Sequence, residues 1–368
     1  MNRIIDFLKK EIVLSVSFVL ALISMFFVPP SEKYFDYIDF RTLGLLFSLM
    51  TIMAGLNKMG IFRLLAKNLL NKAKTMRGVT LLLVLLCFFS SMLITNDVAL
   101  ITFVPFSVVL LKLANKQNRM IFVVTLETIA ANLGSMLTPI GNPQNLYLFS
   151  AYNMSISDFF YTIAPYAMLS LGLLVIFSLF SDKSELANLG DREEVSFDKR
   201  LLTMYAVLFA IALLSVFRVL NYIVLLAAVI VFVLIFDRKV LLKVDYSLLF
   251  TFVFLFIFIG NLGNIAQINS WLSEIVGGNE VVVGVLASQV FSNVPAAILL
   301  SGFTCNATAL MIGVNIGGLG TLIASMASLI SFKFIQKESV SIAKYLGVFT
   351  LLNVVFLAAN LALWVVVK

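Results

Sequence analysis

Apolar residues arrive in long runs, at 12–28, 43–57, 79–95, 98–111, 120–140, 159–180, 201–217, 222–236, 246–265, 281–291, 294–304, 306–330 and 343–367, and polar residues gather in the joints between them. A helix that crosses the ~30 Å hydrocarbon core of a bilayer needs about 20 such residues at 1.5 Å each. Two joints stand apart, because Thr95-Asn96-Asp97 and Ser292-Asn293 are only two or three residues long. The arms around the second, 281–291 and 294–304, hold 11 residues each. As helices they rise only about 16 Å, so they must return to the side they entered. The arms of the first joint are longer and read as a hairpin only if the two halves of the chain repeat. The pattern predicts an all-α polytopic membrane protein with about nine full spans and two re-entrant helical hairpins.

The halves do match. Asn132-Leu-Gly-Ser-Met-Leu-Thr-Pro-Ile-Gly-Asn-Pro-Gln-Asn-Leu146 aligns without a gap on Asn315-Ile-Gly-Gly-Leu-Gly-Thr-Leu-Ile-Ala-Ser-Met-Ala-Ser-Leu329, keeping Asn, Gly, Thr, Ile and Leu in register. Asn142 and Asn145 face Ser325 and Ser328, and each half opens on an Asp, at Asp39 and Asp245. Weakly matching halves are the sequence mark of a secondary transporter. The expected division is a first repeat at 1–180 with a hairpin at 79–111, a charged linker and connecting span at 181–217, and a second, inverted repeat at 218–368 with a hairpin at 281–304.

Charge position sets the expected orientation. Of the 26 Lys and Arg residues, 22 fall in the terminus and loops on the N-terminal side, leaving Lys33, Arg41, Arg218 and Lys368 opposite. By the positive-inside rule the N-terminus is cytoplasmic and the C-terminus outside. The net charge of +7 is thereby a matter of topology, and nucleic acid is not an expected partner. The segment Ile61–Lys72 reads as a helix on the cytoplasmic surface, and Trp271 and Trp364 as interface anchors. Cys87 and Cys305 sit alone in apolar runs and read as buried structural thiols. With no histidine and no paired acids for a catalytic set, an enzyme is not expected, nor any cofactor beyond a coupling ion.

In hydrocarbon, broken helix is tolerated only inside protein or beside water. Gly134, Gly141, Gly313, Gly317, Gly318 and Gly320 can release a helix, and Pro139 and Pro143 cannot continue one. At the joints, Asn96 or Asp97 and Ser292 or Asn293 are placed as N-caps, with Pro295 in a first turn. Helix N-termini facing the midplane offer free N–H donors to an anion, and unwound carbonyls suit Na+. The candidate substrate ligands are therefore Thr95, Asn96, Asn142, Asn145, Ser292, Asn293, Thr321 and Ser325. The candidate coupling residues are Asp97, Glu127, Asn132, Gly134, Thr138, Gly141, Asn315 and Gly317, with a Na+ site drawn from Asn96, Asp97, Asn132, Asn293 and Asn315. Asp97 and Glu127 are acids inside apolar runs, where charge is expensive and function is the default reading.

At Leu93-Ile-Thr-Asn-Asp-Val-Ala-Leu100, at the block from Asn132 to Asn145 and at Ser288-Gln-Val-Phe-Ser-Asn-Val-Pro295, the chain resembles the ion transporter superfamily, and most of all its small bacterial YbiR-like permeases. That group also holds divalent anion:sodium symporters, citrate carriers, arsenite permeases and one class of sodium/proton antiporters. The resemblance implies an elevator mechanism, a homodimer and residence in the bacterial plasma membrane. The divalent-anion branch carries Ser-Asn-Thr at both tips. Here they read Thr95-Asn96-Asp97 and Ser292-Asn293-Val294, which leaves the substrate open. The expected function is Na+- or H+-coupled transport of a small anion or oxyanion; the alternative is a sodium/proton antiporter using Asp97 and Glu127.

Overall fold

The computed structural model describes residues 11–60, 75–184 and 198–367, and every regular element among them is helical. In chain order these are α1 (Ile12–Phe27), α2 (Tyr34–Tyr37), α3 (Phe40–Lys58), α4 (Met76–Ile94), α5 (Asn96–Leu113), α6 (Met120–Ser135), α7 (Pro143–Ala151), α8 (Ile156–Leu179), α9 (Lys199–Val216), α10 (Tyr222–Phe236), α11 (Tyr246–Gly263), α12 (Ala266–Val276), α13 (Glu280–Phe291), α14 (Asn293–Ser301), α15 (Ala307–Ile316), α16 (Met326–Ile335) and α17 (Ile342–Val367). Short 3-10 turns precede α6, α11 and α16. The basic terminus, the Ile61–Lys72 segment and most of the 181–200 linker lie outside the described residues.

Among the described residues, seven helices are long and apolar enough to cross a membrane, or up to eight if the bent pair α12 and α13 is one span. The chain is a polytopic membrane protein. The breaks expected at the Asn132 and Asn315 blocks are present among the described residues. The runs 120–140 and 306–330 each split, because glycine, proline and amide residues interrupt their backbone ladders. Helix α6 ends at Ser135 inside the first run and α7 starts beyond it at Pro143, while the second run gives α15 and the start of α16. Helix α12 went unforeseen because its apolar residues Ile268, Trp271, Leu272, Ile275 and Val276 recur with helical spacing among polar ones instead of forming a run. A turn at Gly277-Gly278-Asn279 bends it by 109° into α13. Cys87 is buried as expected, but Cys305 is exposed. It lies in the turn between α14 and α15, where Thr304 and Asn306 end the apolar arm.

Corresponding pieces of the two halves share local geometry. Asp39 and Asp245 cap α3 and α11 with backbone angles of −77°, 85° and −80°, 84°, each accepting a bond from the N–H three residues on. Asn142 and Ser325 cap α7 and α16 from extended backbone, and their side chains accept from the N–H groups of Asn145 and Ala327. Such caps satisfy N–H groups that would otherwise be orphaned in hydrocarbon.

The packing is reciprocal as well. Helix α11 lies on α1 and α10 on α3; α5 packs on α16 and α14 on α7; α4 and α5 hold α6 as α13 and α14 hold α15. Helices α3, α9 and α10 form one body, to which α11, carrying α1, is joined at α3, and α4 to α8 with α13 to α17 form the other. In the first, the Tyr205 ring fills the space over Gly55, where a Cβ would come within 2.2 Å of it. Tyr205 also donates to Asp237, 3.2 Å away, and Lys58 pairs with the same carboxylate at 2.7 Å. Helix α14 packs on α11 and α7 on α3, which joins the two bodies.

Candidate functional site

The two joints are sharper than their composition predicts. Helix α4 ends at Ile94 and α5 begins at Asn96; α13 ends at Phe291 and α14 begins at Asn293. A single residue turns each hairpin, Thr95 at φ 70°, ψ 152° and Ser292 at φ 74°, ψ 153°. That region of backbone space is essentially reserved for glycine and costs about 1–3 kcal/mol per residue. Two matched violations in side-chain-bearing residues are maintained by the packing around them. Ser292 occupies the N-cap position expected of it or Asn293, whereas at the first tip Thr95 takes the position expected of Asn96 or Asp97, and neither side chain caps the following helix. Asn96 is instead the first helical residue, with its Oδ1 accepting from the Asp97 N–H at 2.9 Å.

The broken segments bring the candidate amides together. From α6, Asn132 accepts from Asn96 at 3.3 Å and from Ser325 Oγ at 2.8 Å, and its own amide reaches the Gly318 carbonyl at 3.5 Å. From α15, Asn315 donates to Asn145 Oδ1 at 2.6 Å and accepts from Asn142 at 3.3 Å. Each half's Asn thus bonds to the other half's break, Asn132 to Ser325 and Asn315 to Asn142. All six of these side chains are buried. Gly134 and Gly317 serve close approach: a Cβ at Gly134 would meet the Phe88 carbonyl at 2.2 Å and Ser91 Oγ at 2.7 Å, and one at Gly317 would meet Ser288 Oγ at 2.7 Å. Ser91 and Ser288 each lie four residues before their tip. Gly134 and Gly313 remain helical, so they pack helices instead of releasing them, whereas Gly320 does leave the ordinary backbone, at φ 108°.

The tips differ in what they leave free. At the first, the Asn96 N–H donates to the Gly141 carbonyl at 3.0 Å. Thr138 donates to the Met92 carbonyl, which ties the break to α4. At the second, the N–H groups of Asn293 and Val294 have no hydrogen-bond partner among the described residues, and Ser292 Oγ is buried without one. A cleft reaches this tip, lined by Ser292, Val294 and Pro295 with Ser247 and Thr251 of α11. Asn293 is buried, its amide beside Gly318. Helix α14 thus offers two unused N–H donors, a hydroxyl and an amide at its N-terminus, the donor set an anion requires.

The two acids are in separate surroundings. Asp97 is half-buried in the first turn of α5 and its Oδ1 has no partner among the described residues. Glu127 is fully buried farther along α6, where Oε1 accepts from Ser107 at 2.5 Å and from the Cys87 thiol at 3.9 Å, while Oε2 has no partner. Neither belongs to an ion pair among the described residues. Glu127 faces the packing of α4, α5 and α6, away from the amide cluster. Thr321 is also apart: it is exposed, and its N–H and hydroxyl both engage Gln289. Gln289 is the residue that sequence reasoning missed. Its amide donates to the Gly317 and Leu319 carbonyls at 2.9 Å each and binds the second break to α13. Its position three residues before Ser292 was the available signal.

The sequence profile described as "Citrate transporter" matches residues 4–308. The uncharacterized transporter MJ0456 of Methanocaldococcus jannaschii is 32% identical over 350 residues, covering 94% of this chain and 95% of that protein. The inner membrane protein YbiR of Escherichia coli is 33% identical over 328 residues, 84% of this chain and 83% of its own length. The silicon efflux transporter LSI3 of Oryza sativa is 33% identical over 162 residues, covering 43% of this chain and 32% of that protein. With strained joints, paired breaks and a profile match over most of its length, this chain belongs to the citrate transporter family, within the ion transporter superfamily.

Proposed function

We propose that this protein is a cation-coupled secondary transporter of a small anion or oxyanion, with the anion held at the N-terminus of α14 by Ser292, Asn293 and the free N–H of Val294. The single observation that carries this reading is the uncommitted donor set at that tip, where the N–H groups of Asn293 and Val294 and the buried Ser292 hydroxyl have no partner among the described residues. The coupling cation, Na+ or H+, sits where Asn96, Asn132 and the Gly318 carbonyl meet, with Asp97 next to Asn96 in the first turn of α5. Asp97 is the charged member, and its free Oδ1 is available to a cation. Citrate enters the substrate panel from the family's description, and silicon from the name of the rice relative.

The carrier works as two inverted repeats, each with one re-entrant hairpin. Matched backbone angles at the tips and at the Asp caps, and reciprocal packing of the halves, support this. The short arms α13 and α14, at 12 and 9 residues, are too short to cross and support re-entry at the second tip. Charge placement supports a cytoplasmic N-terminus in the bacterial plasma membrane. The body holding both hairpins moves against the body of α1, α3, α9, α10 and α11, in a homodimer as the superfamily resemblance implies.

The test is uptake into proteoliposomes of carboxylates, phosphate, arsenite and silicate, with and without Na+ and pH gradients. Asn293→Ala is expected to raise KM, and Asp97→Asn to abolish the dependence on the driving gradient. If neither substitution altered any flux found, the site would be misplaced. A sodium/proton antiporter would show proton movement on adding Na+ without an anion; the separate surroundings of Asp97 and Glu127 weigh against their working as a pair.

A further inference from the structure

At the end of the bundle opposite the Lys- and Arg-rich loops, two of that end's few cations converge from positions far apart in sequence. Arg41 begins α3 and donates from Nη2 to the Ser215 carbonyl at 3.1 Å. Arg218 follows α9, donates from Nη2 to the Phe149 carbonyl at 2.9 Å, and lies with its guanidinium carbon 5.3 Å from the Phe149 ring centre. The same Ser215 carbonyl accepts the Arg218 backbone N–H at 3.2 Å. Val219 N–H reaches back to the Leu214 carbonyl at 2.9 Å, which closes α9 in a Schellman turn. Arg218 occupies the left-handed position of that turn, at φ 63°, where glycine is the ordinary choice. An arginine there, its side chain fastened across to α7, is held against its backbone preference.

Two guanidinium groups brought together repel unless something negative lies between them. Among the described residues nothing does: neither arginine forms an ion pair. Asp39, the acid nearest to Arg41 in sequence, is turned into α3, where its two oxygens accept from the N–H and hydroxyl of Thr42. Donors are in surplus instead. Arg41 Nε is buried without a partner, and so is the hydroxyl of the fully buried Ser215. Each guanidinium has five N–H donors in a planar fork that matches an oxyanion, and one from each is engaged by a carbonyl.

We propose that Arg41, Arg218 and Ser215 form an oxyanion site separate from the helical tips, seated between α3, the α9–α10 turn and the end of α7. The ligand is a sulfate-, phosphate- or carboxylate-like group, supplied by a soluble anion or by the phosphate of an anionic lipid. Through Phe149 the site is fastened to α7, the helix capped by Asn142, so occupancy holds that helix against the α3 and α9 body. The site stands independently of the transport reading.

The test is a thermal-shift titration of purified full-length protein in lipid-free neutral detergent with sulfate, phosphate or citrate. It is repeated in nanodiscs of phosphatidylcholine with and without phosphatidylglycerol. Wild type and Asn293→Ala, which removes the tip ligand, are both expected to be stabilised. Arg41→Gln and Arg218→Gln each remove charge-assisted hydrogen bonds and weaken the apparent affinity by about ten- to hundredfold. Arg218→Lys, which keeps the charge and loses the fork, falls between. Should Arg218→Gln fail to fold, Arg41→Gln and Ser215→Ala carry the measurement. Stabilisation by the soluble anions, lost in the arginine variants, assigns a soluble ligand. Stabilisation by phosphatidylglycerol alone, lost in the same variants, assigns a lipid phosphate. If the variants respond as wild type does to every anion and lipid, or wild type responds to none, the site does not exist.

Discussion

Gly318 separates the roles of fold and site within a single substitution. A Cβ at this position would stand 2.8 Å from the Asn293 amide nitrogen, about 0.6 Å short of ordinary contact at 3.4 Å, and 3.3 Å from the Asn315 carbonyl. The obstructing atom is the end of a side chain, so in Gly318→Ala the Asn293 amide turns away and the backbone stays. Thermal stability in detergent should fall by no more than about 1 kcal/mol, below the ~1–3 kcal/mol of ordinary overpacking. The bound anion, however, loses one charge-assisted hydrogen bond, about 1.5–3 kcal/mol, which is roughly ten- to hundredfold in KM. Gly134→Ala is the control, since its Cβ would lie 2.2 Å from the Phe88 carbonyl, a backbone atom that must move by about 1 Å. That variant should lose about 3 kcal/mol or more and express poorly. Uptake kinetics and thermal midpoints of the two variants check the reasoning. An unchanged KM in Gly318→Ala would mean that Asn293 does not touch the anion. A midpoint as low as that of Gly134→Ala would mean that Asn293 cannot yield.

Thr95→Gly and Ser292→Gly remove matched backbone strain, and each should raise stability by about 1 kcal/mol after the entropy that glycine adds to the unfolded chain; a loss of stability measured by thermal unfolding would show that the strain is not there. Lys58→Met leaves the Asp237 carboxylate, buried at 6% side-chain exposure, with Tyr205 alone. Because Lys58 is itself 39% exposed, the expected cost is about 1–3 kcal/mol, below the usual value for a fully buried pair. The double variant Lys58→Met/Asp237→Asn should recover part of it in the same assay. In native membranes a maleimide should label Cys305 and leave Cys87 unmodified until denaturant is added, and a reagent that cannot cross the membrane should reach Cys305 from outside the cell.

The polytopic architecture was legible because it rests on the length of the apolar runs, and the break at Ser292 because the arms on either side of it, at 12 and 9 residues, are short. The amide cluster was legible for a related reason, since Asn132, Asn142, Asn145 and Asn315 in apolar surroundings must find partners. Which partners they find was not. The crossing of Asn132 to Ser325 and Asn315 to Asn142 depends on how the halves dock, and local sequence carries no direct sign of it. Gln289 was overlooked because one amide at the end of an apolar arm looks like a boundary residue. Glu127 had the same sequence signature as Asp97, an acid in an apolar run, and only packing assigns it to Ser107 and Cys87. Helix α12 and Cys305 were misplaced because a reading tuned to unbroken apolar runs passes over amphipathic turns and loop ends. Nothing in the local sequence around Arg41 or Arg218 marked the two as neighbours.

The most direct measurement is disulfide formation between the two breaks, in protein from which Cys87 and Cys305 have been removed. Asn132→Cys with Ser325→Cys replaces a pair now joined at 2.8 Å, and Asn142→Cys with Asn315→Cys one joined at 3.3 Å. Both pairs should oxidise to intramolecular disulfides in native membranes, while Asn132→Cys with Asn353→Cys, whose partner residue bonds within α17, should not. Failure of both pairs to bridge in folded protein would mean that the broken segments do not meet, and the cation site built on their meeting would be gone.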